Sequence, residues 1–246
     1  MRDYLVFRVY GTLAAWGHVA VGEERPSLTH PTKSAVIGLL AGALGYRRDR
    51  EERHQALIQD LGLAVLVDSM GILLTDYHTT QTVKAAGGRR YFTRREELEA
   101  DPKQIVTILS SRQYRMEALY AVCVWLKRHP ADHDLARLAQ ALDEPIFAPC
   151  LGRKSCPPGL PFEPRLVMAE SLVAAFQGAF FQGDGFLDGL PRTQSPELYW
   201  EHGVEAGAEP DQVFFRLDEP LSRRRWQFGQ RAEYHAGLPA GLKGED

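Results

Sequence analysis

Residues that could bind phosphate follow one another at the predicted start of a helix. Thr32, Lys33 and Ser34 come directly after Pro31, and a threonine in this position is a favourable helix N-cap. The backbone N–H groups of a first helical turn have no intrahelical partner, and the helix dipole favours an anion beside them. The sequence therefore predicts a helix over 33–44 whose start binds phosphate through Lys33 and Ser34. An ordinary capped core helix is the alternative.

The same residues do not form a nucleotide-binding P-loop. That motif requires glycines where this chain has Ser27 and Thr32, so we exclude a nucleoside triphosphatase. Gly38 and Gly42 are four residues apart, and we expect them to let the helix lie close to a sheet. We expect Gly45 to end the helix.

Basic residues are concentrated in three further segments, although the net charge of the chain is -3. Residues 84–95 hold five cations and no acid, residues 223–231 hold four, and the turn 151–157 holds Arg153 and Lys154 behind a glycine. Segregated cations allow a protein to bind a polyanion on one face while the remainder stays acidic. Solvated surface charge is the alternative for each segment alone, but the three together favour nucleic acid.

Cations and aromatic residues alternate between Arg223 and Phe228. This combination favours pairing with phosphate together with stacking on unpaired bases. Trp226 and Phe228 have the same strand parity, so an amphipathic strand that buries both rings is the alternative.

Histidines are the candidates for general acid–base chemistry, because only histidine titrates near neutral pH without a shift. His18, His30 and His78 are predicted to lie in loops, and no nucleophile accompanies them. His129 and His133 are four residues apart, but a proline between them breaks the helix that a metal-binding pair needs. We therefore predict no catalytic residues, no bound metal and no cofactor.

The composition is that of an ordinary globular protein of 246 residues, long enough for one large domain or two small ones. No apolar run has the length of a membrane span, and the charged start leads directly into a predicted strand. The three cysteines lack metal-ligand spacing and form no disulfide framework, so we expect reduced thiols. These features predict a cytoplasmic protein with no membrane contact.

Hydrophobic periodicity predicts the following elements. The strand candidates are 4–10, 63–67, 72–75, 105–110, 118–126, 213–217 and 226–235, with 63–67 and 72–75 interpreted as a pair around the turn 68–71. The helix candidates are 33–44, 51–61, 132–142 and 168–180. The regions 11–30 and 181–196 are predicted to be loops.

This order of elements predicts an α+β fold with a ferredoxin-like (RRM-like) sheet over residues 1–145. Residues 77–103 are too polar for a core and are predicted to project as an arm or hairpin. Prolines crowd the chain after residue 145, which suggests a boundary there and a smaller, strand-rich C-terminal region over 146–246.

Four motifs carry a resemblance to a known family. They are Thr32-Lys33-Ser34 ahead of Gly38-Leu39-Leu40, then Asp76-Tyr77-His78-Thr79, Leu151-Gly152-Arg153-Lys154-Ser155-Cys156-Pro157, and Asp218-Glu219-Pro220 ahead of a late arginine. Together they resemble the CasD family of subunits in Cascade, the type I-E CRISPR surveillance complex. That family belongs to the repeat-associated RNA-binding superfamily, whose members have ferredoxin-like folds. The resemblance extends over nearly the whole chain.

The resemblance implies a non-catalytic role. A subunit of this kind grips the 5′ handle of the CRISPR RNA, caps the filament of backbone subunits and contacts the large subunit, and the complex binds a double-stranded DNA target. The arm at about 77–103 resembles the family's thumb. Related subunits cleave RNA themselves, so a metal-independent endoribonuclease that processes repeat RNA is the alternative.

The candidate RNA-binding residues combine this resemblance with the basic loops. The common RNA-recognition modules stack bases on sheet aromatics, and that signature is missing here, so we expect loops to hold the RNA. The predicted contacts are Arg25, Lys33, Ser34, Arg89, Arg90, Arg94, Arg112, Arg153, Lys154 and Arg225.

Overall fold

The computed structural model describes residues 1–84, 90–179 and 195–239, together with residues 181, 187, 189, 190 and 193. In these residues the strands are β1 Arg2–Ala14, β2 Glu24–Arg25, β3 Leu61–Ser69, β4 Ile72–Val83, β5 Ile105–Leu126, β6 Arg165–Ala169, β7 Glu197–Trp200, β8 Gln212–Ser222 and β9 Gln227–Gly237. The α-helices are α1 Lys33–Ala43, α2 Glu51–Asp60, α3 Arg94–Leu98, α4 Leu135–Asp143 and α5 Leu172–Gly178. A short 3₁₀ turn, Pro102–Gln104, precedes β5.

The strands form one large sheet with the order β6-β1-β5-β3-β7-β9-β8, and β2 and β4 also pair with β5. The pairs are antiparallel except for β2 with β5, which run parallel. The fold is therefore a mixed α/β fold around a mostly antiparallel sheet. The chain after residue 145 adds strands to this same sheet, and the predicted division there stays a prediction.

Both faces of the sheet are covered because apolar residues occupy both parities of the central strands. In β1, Leu5, Phe7 and Val9 face a core that contains residues of α1, α2 and α4. Tyr4 and Val6 face a second core that contains residues of α5. The alternation of β1 thus places the sheet between two helical layers.

Helix α1 begins and ends as its sequence predicts. The Thr32 side chain accepts a hydrogen bond from the N–H of Ala35. At the other end the N–H of Gly45 (φ +75°) donates to Gly42 O and the N–H of Tyr46 donates to Ala41 O, the arrangement of a Schellman cap. We expected Gly38 and Gly42 to let α1 lie close to a sheet, and this is wrong. A Cβ at Gly38 would meet the Arg223 guanidinium instead, and one at Gly42 would meet no atom within 4 Å.

The strands predicted at 63–67 and 72–75 are present as β3 and β4, but their predicted pairing with each other is wrong. Strands β3 and β4 each pair with β5, β3 with its C-terminal part and β4 with its N-terminal part, so they follow one another along the same side of a single long strand. The candidates 105–110 and 118–126 are both parts of that strand, which continues through Glu117 at φ +55°. Gly71, at φ +65°, permits the step between β3 and β4 because a Cβ there would lie 2.2 Å from Met116 O.

The C-terminal region differs from the prediction in two elements. The candidate helix 168–180 begins with the end of strand β6 and becomes helical in α5. Strand β7 follows directly after the predicted loop 181–196. No element was predicted there, because four residues are too few to show a period. Strands β8 and β9 confirm the late strand candidates, each with a longer span.

Candidate nucleic-acid interface

The paired parts of strands β4 and β5 are mostly exposed or half-buried and include polar residues. Arg25 in β2 is the Cα partner of Arg112 in β5, and Arg112 is in turn the partner of Asp76 in β4. Residues directly opposite in a sheet project from the same side. Two cations that are distant in sequence are therefore neighbours in the fold.

The turn 151–156 brings a third cation to the same place. It is closed by hydrogen bonds from Leu151 N to Cys156 O (2.7 Å) and from Cys156 N to Arg153 O (2.9 Å). The Arg153 guanidinium donates to Gln113 O at 3.1 Å and to Arg25 O at 3.2 Å. It also lies 4.5 Å from the ring centroid of Tyr114. We call Arg25, Arg112 and Arg153 the cationic face.

A histidine and an aspartate border the cationic face. His78 Nδ1 lies 3.3 Å from Asp76 Oδ2, and both side chains are partly exposed. Their partners across the sheet are Ser110 and Arg112, and Arg112 Nε donates to Ser110 Oγ at 3.2 Å. His78 thus lies in strand β4, and its predicted loop position is wrong.

Lys33, the first predicted phosphate ligand, faces carboxylates of the chain itself. Its side chain is 2% exposed. Its Nζ lies 2.6 Å from Glu219 Oε2 and 2.9 Å from Glu201 Oε1, and its backbone N–H donates to Asp218 Oδ2 at 2.8 Å. These acids occupy the start of α1 where phosphate was expected, because a carboxylate satisfies the same unpaired N–H group. A contact of Lys33 with RNA stays a prediction.

The carboxylates around Lys33 continue into a buried ionic network. Arg231 Nε donates to Asp218 Oδ1 and its Nη2 donates to Glu233 Oε1, both at 2.7 Å. His30, 1% exposed, lies 3.2 Å from Glu233 through Nε2. Burial acts to raise the pKa of Glu233, but His30 and Arg231 hold it well below its usual range. His30 is therefore buried among groups of the chain itself and is not exposed to solvent.

Glu201 has the opposite electrostatic behaviour. Burial raises the pKa of Glu201, while Lys33 and Arg231 act to lower it. A carboxyl group that burial already disfavours as an anion depends on its cations for its charge. Lys33 therefore compensates for a buried carboxylate.

Among the described residues of the predicted arm, Arg90 and Arg94 contact other residues of the arm itself. Arg94 Nη1 donates to Glu97 Oε2 at 2.6 Å. The Arg90 guanidinium lies 5.5 Å from the ring centroid of Phe92, which is itself exposed. Arg89 lies outside the described residues.

Three further predicted residues are at the surface or near it. Lys154 is exposed next to Arg153. Ser34 is half-buried, with its hydroxyl 3.1 Å from that of Thr32. Arg225 is exposed in the turn between β8 and β9, and its backbone N–H donates to Ser222 Oγ at 3.0 Å. Trp226 lies in that turn and is exposed, so the alternative of a strand that buries both rings is wrong for Trp226.

One cationic group was missed. Arg48, in the loop before α2, has its Cζ 5.1 Å from the centroid of the Trp226 ring. The run Arg47-Arg48-Asp49-Arg50 was its sequence signal, but the interspersed acid hides it from a search for acid-free segments.

The described residues give no support for a resident metal or a membrane span. Within them, no group of three or more His, Cys, Asp and Glu side chains is placed to hold a metal ion. The cysteines 123, 150 and 156 are free thiols. None of the helices in the described parts of the chain is long and apolar enough to cross a bilayer.

Comparison with known proteins gives the class and then the family. The family model described as CRISPR-associated protein (Cas_Cas5) matches residues 4–233. The chain is 36% identical over 160 residues to the CRISPR system Cascade subunit CasD of Escherichia coli (strain K12), a match that covers 64% of this chain and 68% of that protein.

Solved structures agree with this match over nearly the whole chain. One, named CRISPR RNA-guided surveillance complex, has a TM-score of 0.65 at 26% identity and covers 98% of this chain and 93% of its own. Another, named Crystal structure of Cas protein, has a TM-score of 0.65 at 25% identity and covers 99% and 98%. The large sheet and these matches define a CRISPR-associated protein. The chain belongs to the Cas5 family, and the resemblance to CasD is confirmed.

Proposed function

We propose that this chain is a non-catalytic subunit of a CRISPR RNA-guided surveillance complex, and that its cationic face holds the 5′ handle of the CRISPR RNA. The observation that carries the proposal is the convergence of Arg25, Arg112 and Arg153 from three distant segments. Guanidinium groups pair with phosphate in bidentate geometry, and phosphate contacts position a nucleic acid strand. The exposed Lys154 extends the same surface.

The same proposal assigns roles to the N-terminal unit, to the arm and to the start of α1. Residues 1–145 form a ferredoxin-like RNA-binding unit. The arm at about 77–103 acts as a thumb over the guide RNA, with Arg90 and Arg94 against the RNA backbone. Long-range attraction between these cations and RNA phosphates supports this placement. Ser34, half-buried at the start of α1, is a further proposed contact, whereas Lys33 is neutralised by Glu201 and Glu219.

Protein partners are proposed on separate grounds. The backbone and large subunits of the complex would contact this chain, and the complex would bind double-stranded DNA. Along the outer strand β8, Val213, Phe215 and Leu217 are exposed on one face. A contiguous exposed apolar strip of this kind is typical of a surface that contacts protein.

A salt titration of RNA binding tests the proposal. The full chain is titrated with fluorescent RNA that carries the 5′ handle, and the affinity is measured between about 50 and 200 mM salt. We expect the logarithm of the affinity to fall steeply with the logarithm of salt, and Arg112→Ala or Arg153→Ala to reduce the slope by about 0.7 to 1 each.

The matched control is Arg137→Ala, which removes an exposed arginine of α4. It should leave the slope unchanged. Because Arg153 also contacts Tyr114, thermal melting of each variant establishes that the fold is intact. Equal slopes for Arg153→Ala, Arg112→Ala and Arg137→Ala would contradict the cationic face as the RNA site.

A metal-independent endoribonuclease is the second candidate, and one observation favours it. The partly exposed His78–Asp76 pair lies on the same side of the sheet as Arg112. A histidine beside a carboxylate can act as a general base, and a neighbouring arginine can stabilise a developing phosphorane charge. Incubation with repeat RNA in chelator, with His78→Ala as the comparison, decides between the candidates. Cleavage that the variant loses would replace the binding proposal, which requires intact RNA.

A further inference from the structure

The turn between β8 and β9 exposes a tryptophan in an uncommon backbone conformation. Trp226 has φ +56°, a left-handed value that is costly for a bulky side chain. Its side chain is 55% exposed, whereas Trp16, Trp125 and Trp200 are 3%, 1% and 5% exposed. An exposed indole held in a strained turn indicates a role outside the core.

Two guanidinium groups flank this indole. The Cζ atoms of Arg48 and Arg223 lie 5.1 Å and 5.0 Å from the centroid of the Trp226 ring, within cation–π distance. The two arginines come from different segments, and their mutual repulsion must be offset by what surrounds them.

Glu51 is the acid whose charge acts on Arg223, and its oxygens bond to the backbone of the turn. Glu51 Oε1 accepts from Arg223 N at 3.1 Å and Oε2 accepts from Arg224 N at 3.0 Å, so this carboxylate holds the backbone of the turn. Arg223 Nε is buried and has no hydrogen-bond partner among the described residues. Burial lowers the pKa of Arg223, and the charge of Arg48 lowers it further. The charge of Glu51 acts in the opposite direction, but the Nε–H of Arg223 has no acceptor within the described residues.

We propose that Arg48, Arg223 and Trp226 form a binding site for an unpaired nucleotide of a nucleic acid strand, separate from the cationic face. The phosphate accepts hydrogen bonds from the two guanidinium groups, and the base stacks on the exposed part of the indole. Arg224 and Arg225, exposed in the same turn, extend the contact along the strand. The site does not depend on recognition of the 5′ handle and therefore goes beyond the proposed function.

The chemistry favours nucleic acid over an acidic peptide. Carboxylates of a peptide would pair with the guanidinium groups but would leave the exposed indole without a partner. A nucleotide supplies both an anion and a flat π surface, and stacking of a base on an aromatic side chain does not depend on sequence. A duplex offers phosphates only, because its bases are already stacked.

Trp226 fluorescence reports on this site directly. The full chain is titrated with a 12-nucleotide oligouridylate, with a duplex of the same length and with polyglutamate of similar charge. Since the other three tryptophans are buried, quenching of exposed tryptophan emission arises at Trp226. We expect quenching by the oligouridylate and little by the duplex or polyglutamate.

Affinities of variants for a labelled oligouridylate complete the test. Trp226→Ala should bind about 5- to 150-fold more weakly, as expected for loss of one stacked base, while Trp226→Phe keeps a ring and should lose less. Arg48→Ala removes an exposed side chain and should lower the salt slope by about 0.7. The Arg48 variant keeps the test valid if a change at Arg223 disturbs folding.

Two results would overturn the site. One is an unchanged affinity in both Trp226→Ala and Arg48→Ala, and the other is equal quenching by polyglutamate. Arg153→Ala separates this inference from the proposed function, because it should weaken binding of handle RNA and leave the quenching of Trp226 unchanged. If binding of handle RNA does not respond to Arg153→Ala while the oligouridylate still quenches Trp226, the proposed function is contradicted and the Trp226 site is not.

Discussion

Replacement of Lys33 by methionine tests the buried ionic network at the start of α1. The variant keeps most of the side-chain volume and removes the charge that faces Glu201 and Glu219. Removal of one partner of a buried ion pair typically costs about 3 to 5 kcal/mol, because the other charge is left uncompensated.

Protonation of Glu201 limits this cost. An ordinary glutamate has a pKa of about 4.3, and neutralising it at pH 7 costs roughly 3.7 kcal/mol at about 1.36 kcal/mol per pH unit. Glu219 is more exposed and can regain water, so it adds little. We therefore expect Lys33→Met to lower the free energy of unfolding by about 3 to 4 kcal/mol at pH 7.

The loss should depend on pH. Burial raises the pKa of Glu201 and Lys33 opposes this, so without Lys33 the pKa rises further. Between pH 7 and pH 5 the folded variant then binds a proton that the unfolded chain does not, and its stability rises as pH falls. The difference from the unsubstituted chain should shrink as pH falls, by at most about 1.4 kcal/mol per pH unit.

Urea unfolding at pH 7, 6 and 5 measures these differences. Lys154→Met is the matched control, because Lys154 is exposed and its change should stay within about 0.5 kcal/mol. A loss for Lys33→Met that is the same at pH 5 and pH 7 would refute the assignment of the cost to Glu201.

Two other substitutions have defined outcomes. Asp60 is 0% exposed and accepts hydrogen bonds from its neighbours, including His133 N at 3.1 Å; burial acts to raise its pKa, but bonds from His133 and an arginine hold it below the usual range. Asp60→Asn should therefore cost about 3 kcal/mol at pH 7, and acid unfolding should show the stabilisation lost as pH falls below about 4. Gly152→Ala should destabilise by more than about 3 kcal/mol in thermal melting, because its Cβ would lie 1.8 Å from Ala15 O at φ +84°. Gly203→Ala, at φ +90° with no atom within 4 Å, should cost only about 1 kcal/mol.

The local pattern of the sequence was sufficient for most helix and strand positions. Thr32 and Gly45 predicted both ends of α1, because a cap depends on residues within one turn of it. The alternation in β1 predicted the strand for the same reason. The motifs around residues 32, 76, 151 and 218 were also sufficient for the family.

Pairing between distant segments could not be predicted in this way. Strands β3 and β4 appear as a hairpin in a local interpretation, since a glycine separates them, but both pair with β5 in the fold. Periodicity gives the face of a strand and not its neighbour. The pairing of β3 and β4 with the long strand β5 determines the order of strands in this part of the sheet.

The candidate site also has a part that the sequence predicted and a part that it did not. Its residue types were evident from the sequence, since cations in loops indicate a polyanion partner. The partners were not: Lys33 meets Glu219, 186 residues away, and Arg25 meets Arg112 and Arg153. The sequence by itself determined the family and the caps of α1, because these depend on neighbouring residues. Only the tertiary structure decided which cations are neutralised inside the chain and which remain together at its surface, because burial and ion pairing arise between segments that are far apart in sequence.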